Sequence, residues 1–212
     1  VMRIGIFGGT FDPVHIGHLR VVEEVREFFF LERVYFVPVY IPPHKKNQEI
    51  TSADERLKML SMAIRGNNAL YLSEMEIKRG GVSYSIDTIR SFEKKYKDLY
   101  FIIGIDAFSE IDTWHRYEEI FHHTNFIIMI RPTHKQVSGI EMFPMNVRGD
   151  VKRVGEYTFE HISGKRIYVH NITQFDISST KIRESLKKEK SIRYLVPYTV
   201  ERFIHKRRLY RV

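Results

Sequence analysis

Cysteine is absent from the sequence, which excludes a disulfide framework, thiolate metal ligands and a thiol nucleophile. No run is apolar enough to span a bilayer. The opening Val1-Met2-Arg3-Ile4-Gly5-Ile6-Phe7 lacks the apolar core and small-residue cleavage site of an export signal. A cytoplasmic chain without a membrane partner is the expectation. Internal repeats and low-complexity tracts are also missing, and tryptophan occurs once, at Trp114.

What remains is the mix of an ordinary globular protein, with 43% apolar and 28% charged residues over 212 positions. That length fits one domain, residues 1–212, with one sizeable core. The formal charge of +8 calls for an anionic partner but does not choose among phosphates, nucleic acid and acidic surfaces. Much of the excess sits late, in Lys187, Lys188, Lys190, Arg193, Arg202, Lys206, Arg207, Arg208 and Arg211. A solvated helical face accounts for such a cluster, and no RNP motif or helix-turn-helix spacing accompanies it. No nucleic-acid partner is expected.

Short β-rich runs at 2–7, 34–39, 71–74, 100–103, 126–130 and 167–170 alternate with helical patterns at 17–29, 53–65, 85–96, 117–122, 180–187 and 197–206. This alternation predicts βαβ units, that is, an α/β chain with an open, mainly parallel sheet covered by helices on both faces. The helix at 53–65 has a readable start in Thr51-Ser52-Ala53-Asp54-Glu55 and an apolar face of Leu57, Leu60 and Ile64, and it reads as structural. Paired prolines in Tyr40-Ile41-Pro42-Pro43-His44-Lys45-Lys46-Asn47 leave a basic loop after the second strand, at the end of the sheet where ligands bind in such folds. The segment 133–165 is polar and without clean periodicity, and it reads as an irregular insertion or lid. A helical part at about 177–212 closes the chain.

The most informative segment lies between the first strand and the first helix: Gly8-Gly9-Thr10-Phe11-Asp12-Pro13-Val14-His15-Ile16-Gly17-His18. It is neither the G-x-G-x-x-G of dehydrogenases nor the G-x-x-x-x-G-K-[ST] of P-loop enzymes. Gly8 and Gly9 let the backbone approach a phosphate and adopt dihedrals closed to other residues. His15 and His18 stand at a helix N-terminus, where the dipole favours anions and imidazole N–H groups can meet a phosphoryl group as its charge grows. An incidental surface pair or a metal site is the alternative for two histidines at this spacing; the flanking G-G-T-F-D-P argues against it.

A second motif, Asp176-Ile177-Ser178-Ser179-Thr180-Lys181-Ile182-Arg183-Glu184, opens a late helix. Its hydroxyls are natural N-caps, and its free backbone N–H groups suit phosphate oxygens. Arg183, one turn inside, brings a planar guanidinium suited to a leaving pyrophosphate.

At these residues the sequence resembles the bacterial nicotinate mononucleotide adenylyltransferases of the HxGH nucleotidyltransferase group, which carry G-G-[ST]-F-D-P-x-H-x-G-H early and I-S-S-T-x-I-R late. Pro42-Pro43-His44-Lys45, Tyr84-Ser85-Ile86-Asp87-Thr88, Gly104-Ile105-Asp106, Trp114, Arg131-Pro132 and Val196-Pro197 resemble further landmarks in the expected order. The resemblance implies a Rossmann-like fold of the nucleotidylyltransferase type. It implies an ATP site from Gly8, Gly9, Thr10, Phe11, His15, Gly17, His18, Gly104, Asp106, Ile177, Ser178, Ser179 and Arg183. It further implies a nicotinate mononucleotide site from Lys45, Tyr84, Ser85, Asp106, Trp114 and Arg131, with the indole near the pyridine ring. Ser85 stands where many relatives have Thr and keeps the hydroxyl; the segment 133–165 departs from the family pattern.

The chemistry so implied is an in-line attack of the mononucleotide phosphate on the ATP α-phosphorus, without a covalent enzyme intermediate. The catalytic groups are His15, His18, Arg183 and Lys45, and Mg²⁺ is held mainly by substrate phosphates rather than by protein ligands. Nicotinamide mononucleotide, phosphopantetheine and cytidylyl transfer are the nearest alternatives. The class I aminoacyl-tRNA synthetases share the tetrapeptide His15-Ile16-Gly17-His18 but need a longer chain. Homo-oligomerisation is left open.

Overall fold

The computed structural model describes residues 1–42, 50–130 and 139–211. Lys45 and Arg131, expected to meet substrate phosphates and the pyridine nucleotide, lie outside the described residues.

Six strands run parallel: β1 (Arg3–Gly9), β2 (Arg33–Pro38), β3 (Leu70–Leu72), β4 (Asp98–Gly104), β5 (Asn125–Ile130) and β8 (Arg166–Asn171), in the order β3-β2-β1-β4-β5-β8. The centre of the sheet is apolar on both faces. In β5 every residue after Asn125 is buried, a pattern that only a strand covered on both sides can sustain.

The covering helices divide by face. Val22 and Val25 of α1 (Ile16–Phe28), Met59, Leu60 and Ile64 of α2 (Ala53–Ile64), Ile182 and Leu186 of α8 (Ser179–Lys187), and Val200 and Ile204 of α9 (Tyr198–Arg207) pack with Phe7, Phe36, Ile102 and Ile127. On the other face Ile86, Ile89 and Phe92 of α4 (Ser85–Glu93), Phe108 of α5 (Ile105–Phe108), and Ile120 and Phe121 of α6 (Tyr117–His123) meet Ile4, Ile6, Phe101, Ile103 and Phe126. One sheet between two apolar layers is the open α/β architecture expected from the alternation. A short α3 (Met75–Arg79) precedes α4.

The expectation of irregular structure over 133–165 is corrected. Its described part holds α7 (Met145–Arg148) and an antiparallel hairpin of β6 (Val151–Gly155) and β7 (Thr158–His161), which extends the sheet beyond β8. Only Val151 of β6 is buried, so the edge strand carries almost no alternation to read.

Sheet order places the site. The chain leaves β1 for β2 and β3 on one side, then returns to lay β4 against the other side of β1, with Phe7 level with Ile102. At this reversal the loops after neighbouring strands diverge, and a crevice opens beyond their carboxyl ends.

Candidate functional site

Both glycine-bearing strand ends, Gly8-Gly9 of β1 and Gly104 of β4, flank that crevice. Gly8 and Gly9 are not among the residues with positive φ, so the expected special dihedrals are corrected; Phe11 is the loop residue that takes the left-handed conformation, at φ 52. What Gly9 supplies is room. A Cβ there would meet the Phe11 ring at 2.9 Å. Phe11 itself is 2% exposed and packs edge-on against His18 and at an angle against Phe7 and Phe36, so its side chain belongs to the core beneath the loop.

His15 is the N-cap of α1 and forms a reciprocal box with His18. The His18 backbone N–H donates to His15 Nδ1 at 3.3 Å, and the His15 backbone N–H donates to His18 Nδ1 at 3.2 Å. The rings stack with centroids 3.6 Å apart. Two consequences follow. Each Nδ1 is used as an acceptor, so each neutral ring carries its proton on Nε2. And Gly17 is required by the pair itself, since a Cβ there would stand 3.1 Å from His15 Nδ1.

Burial pushes the His15 imidazole down to about 4. Burial and the adjacent His15 hold His18 well below its ordinary range. Both are therefore neutral donors at physiological pH.

The second motif comes back onto the first. Ser178 caps α8, its Oγ accepting the Lys181 N–H at 3.2 Å. Ser179 Oγ donates to the Pro13 carbonyl at 2.8 Å, and Arg183 Nη1 donates to the Asp12 carbonyl at 2.7 Å. Segments 166 and 171 positions apart are thus fastened at adjacent peptide groups.

Two cavities open here. The smaller, about 340 Å³, is lined by His15, Gly17, His18, Asp106, Ile177, Ser178 and Ser179, with Phe7 and Gly104 at its edge. The larger, about 590 Å³, has Gly8, Gly9, Thr10, Tyr84, Ser85 and Trp114 on its walls and shares Phe7 and Gly104 with the first. Most of the described sequence-derived residues therefore separate into two adjoining compartments, while Phe11 and Arg183 line neither cavity. Gly8, Gly9 and Thr10, expected around ATP, face the larger one, and Asp106, expected in both sites, lines the smaller.

In the larger cavity Trp114 packs edge-on against Phe101, and Tyr84 lies over His115 at 4.4 Å between centroids. Helix α4 opens at Tyr84 with no side-chain cap. Sequence reasoning missed Glu76, which also lines this cavity, is 4% exposed and takes a hydrogen bond from Thr88. Burial pushes its carboxyl up, towards the neutral acid.

Arg56 was missed as well. It is 1% exposed and donates to the Thr51, Thr10, Val39 and Tyr40 carbonyls at 2.7–3.2 Å, tying α2, the first motif and the end of β2 together. A signal existed: Arg56 lies four and eight positions before Leu60 and Ile64, on the buried face. A third cavity, about 1050 Å³ between α2 and α9, is lined by Lys58, Arg65, Arg202, Lys206 and Arg207 and contains no motif residue.

Residues 6–185 match the cytidylyltransferase-like family model, and the chain belongs to this family of nucleotidyl-transferring proteins. Its curated relatives narrow the class. A "Probable nicotinate-nucleotide adenylyltransferase" of Desulfatibacillum aliphaticivorans is 42% identical, covering 99% of this chain and 100% of its own length. A protein of the same name from Pelobacter propionicus is 42% identical over 99% of this chain and 98% of its own. The fold is similar to that of Plasmodium falciparum nicotinic acid mononucleotide adenylyltransferase complexed with NaAD, with a TM-score of 0.75 and 21% identity over 99% and 98% of the two chains.

Proposed function

We propose that the chain is a nicotinate-nucleotide adenylyltransferase, which joins the adenylyl group of ATP to nicotinate mononucleotide and releases pyrophosphate, a step of NAD biosynthesis. One observation carries the reading. A cavity bearing the H-x-G-H pair and a cavity bearing the single tryptophan share a wall at Phe7 and Gly104, at the topological switch of the sheet. Two substrates so placed meet at their phosphates.

In this reading the smaller compartment takes ATP, with His15 and His18 donating from Nε2 to the transferring phosphoryl group. The N-termini of α1 and α8 add their dipoles. Arg183, held through Nη1 on the Asp12 carbonyl and Nη2 on Thr180, is assigned to the departing phosphates. Gly8, Gly9 and Thr10 line the larger compartment and are assigned to the attacking phosphate. Nicotinate mononucleotide occupies the larger cavity, its ring against Trp114 and its carboxylate at the uncapped N-terminus of α4, beside Tyr84 and Ser85. Lys45 and Arg131 are the family positions for the remaining phosphate contacts. Positioning and charge stabilisation suffice, since both reacting groups are already phosphates.

Magnesium enters as part of the substrate. The ion would be carried on the triphosphate, where it would offset phosphate charge; among the described residues no group of three or more His, Asp or Glu is arranged to hold a metal. Among those residues, too, no helix is long and apolar enough to cross a membrane. We read residues 1–212 as one catalytic domain.

Pyrophosphate release measured with nicotinate mononucleotide, nicotinamide mononucleotide and phosphopantetheine tests the assignment. The first should be the best substrate. Preference for phosphopantetheine would overturn it.

A further inference from the structure

We propose that Tyr210, close to the C-terminal end, is a positioning residue of the adenylyl-transfer site, fixing Asp12 and through it the seat of Arg183. The inference rests on the functional reading above and adds a residue to it that no sequence motif marks.

Helix α9 ends in a left-handed residue, Arg208, and the Leu209 N–H closes back on the Ile204 carbonyl at 3.1 Å. Tyr210, itself left-handed at φ 63, is thereby turned towards the first motif. Its hydroxyl donates to Asp12 Oδ1 at 2.6 Å, across 198 positions of chain. The other oxygen, Oδ2, accepts the Thr51 N–H at 3.2 Å. Asp12 is 4% exposed, so its carboxylate is held at both oxygens, away from water, by two distant segments.

The same residue holds the catalytic clamp by its backbone. The Asp12 carbonyl takes Arg183 Nη1, and the next carbonyl, of Pro13, takes Ser179 Oγ. Among the described residues Arg183 makes one weaker contact besides, from Nη2 to Thr180 Oγ1 at 3.4 Å. The direction of the Asp12 carbonyl therefore sets where the guanidinium points. Burial and the neighbouring Asp12 push the Tyr210 hydroxyl up, so it stays a donor at any working pH. Removing it leaves a buried carboxylate oxygen without its donor. Relief comes from rotating Asp12, which moves the peptide that Arg183 sits on.

Tyr210→Phe is the test, because the ring keeps its packing against the α2 and α9 layer while the hydroxyl alone is lost. We expect kcat to fall about tenfold, the effect of a donor displaced by a fraction of an ångström. KM for nicotinate mononucleotide should stay within about twofold of the unaltered chain, as expected for a change felt at the ATP phosphates and not in the pyridine compartment. In a cycle with Arg183→Lys, the double variant should lose little beyond Arg183→Lys alone, since the two residues act through one contact. Unchanged turnover in Tyr210→Phe, or losses that multiply in full, would overturn the proposal. A fall in melting temperature without a kinetic change would also overturn it, by making the bond merely structural. If the unaltered chain shows no adenylyl transfer, the functional reading fails on its own. Affinity for a non-hydrolysable ATP analogue then decides: equal binding by the two chains refutes the role of Tyr210, and about tenfold weaker binding in the variant supports it.

Discussion

Protonation of the histidine pair offers a quantitative test of the site's geometry. His15 is 6% exposed, its Nδ1 is an acceptor, and its ring is stacked on a second imidazole, so the charged form is disfavoured in the folded chain. The ring titrates at about 4 when folded and at 6.5 when unfolded. With the folded value depressed, the unfolded chain binds the proton first on acidification. The stabilisation is complete above about pH 6.5 and is lost as pH falls towards about 4. That gap corresponds to ~3 kcal/mol. His15→Asn keeps an acceptor at the N-cap and removes the titrating ring. Urea unfolding followed from about pH 7.5 to about pH 4.5 should show the unaltered chain losing stability more steeply than the variant, by ~2–3 kcal/mol over that span. Turnover is the poorer reporter, because a phosphate monoester itself titrates near pH 6, at its second pKa of about 6; ring ¹⁵N shifts report the imidazole directly. Parallel stability curves, or a His15 ring that titrates near 6.5, would refute the capped, neutral pair.

Three further outcomes are expected. His18→Ala should lower kcat about a hundredfold, the loss of one transition-state donor, with circular dichroism unchanged; near-normal turnover would remove the histidine from the mechanism. Trp114→Ala should raise KM for nicotinate mononucleotide about tenfold through lost ring contact and leave KM for ATP alone, and a rise in both would place the indole outside a separate pyridine compartment. Arg56→Met should cost about 3 kcal/mol of stability or more, since four carbonyls lose a charged donor; a change below about 1 kcal/mol would mean that water replaces it without penalty.

Much of the architecture was legible because the central strands β4 and β5 are buried on both faces and read as apolar runs, and all six of the predicted strands are present. The hairpin of β6 and β7 was not, for the same reason inverted. Lys152, Arg153 and Val154 face solvent at the rim of the sheet, so no period of two survives to be read. The short helices α3, α5 and α7 have four or five residues each, too few for a helical period to register. The site was legible where identity and spacing carry the chemistry, as in the H-x-G-H box, and illegible where a contact joins residues with no local pattern.

Arg56, Asp12 and Tyr210 show what kind of information that is. The sequence reads α2 as structural, which its capping and apolar face support, yet its buried arginine holds the Thr10 carbonyl of the phosphate loop. The two readings coincide once the loop is seen as an object that must be held. In the proposed function the loop turns its N–H groups outward to a phosphate, and its carbonyls face inward. Those carbonyls need donors, and the described structure supplies them from Arg56 to Thr10, from Arg183 to Asp12 and from Ser179 to Pro13. Three peptides of the motif, at positions 10, 12 and 13, are thus satisfied from two distant parts of the chain, α2 and α8. Rigidity at the site is then a long-range property: the loop's donors stay aimed only while α2, α8 and the C-terminal end remain docked, so a substitution at any of these anchors should act on turnover before it acts on the motif's own fold.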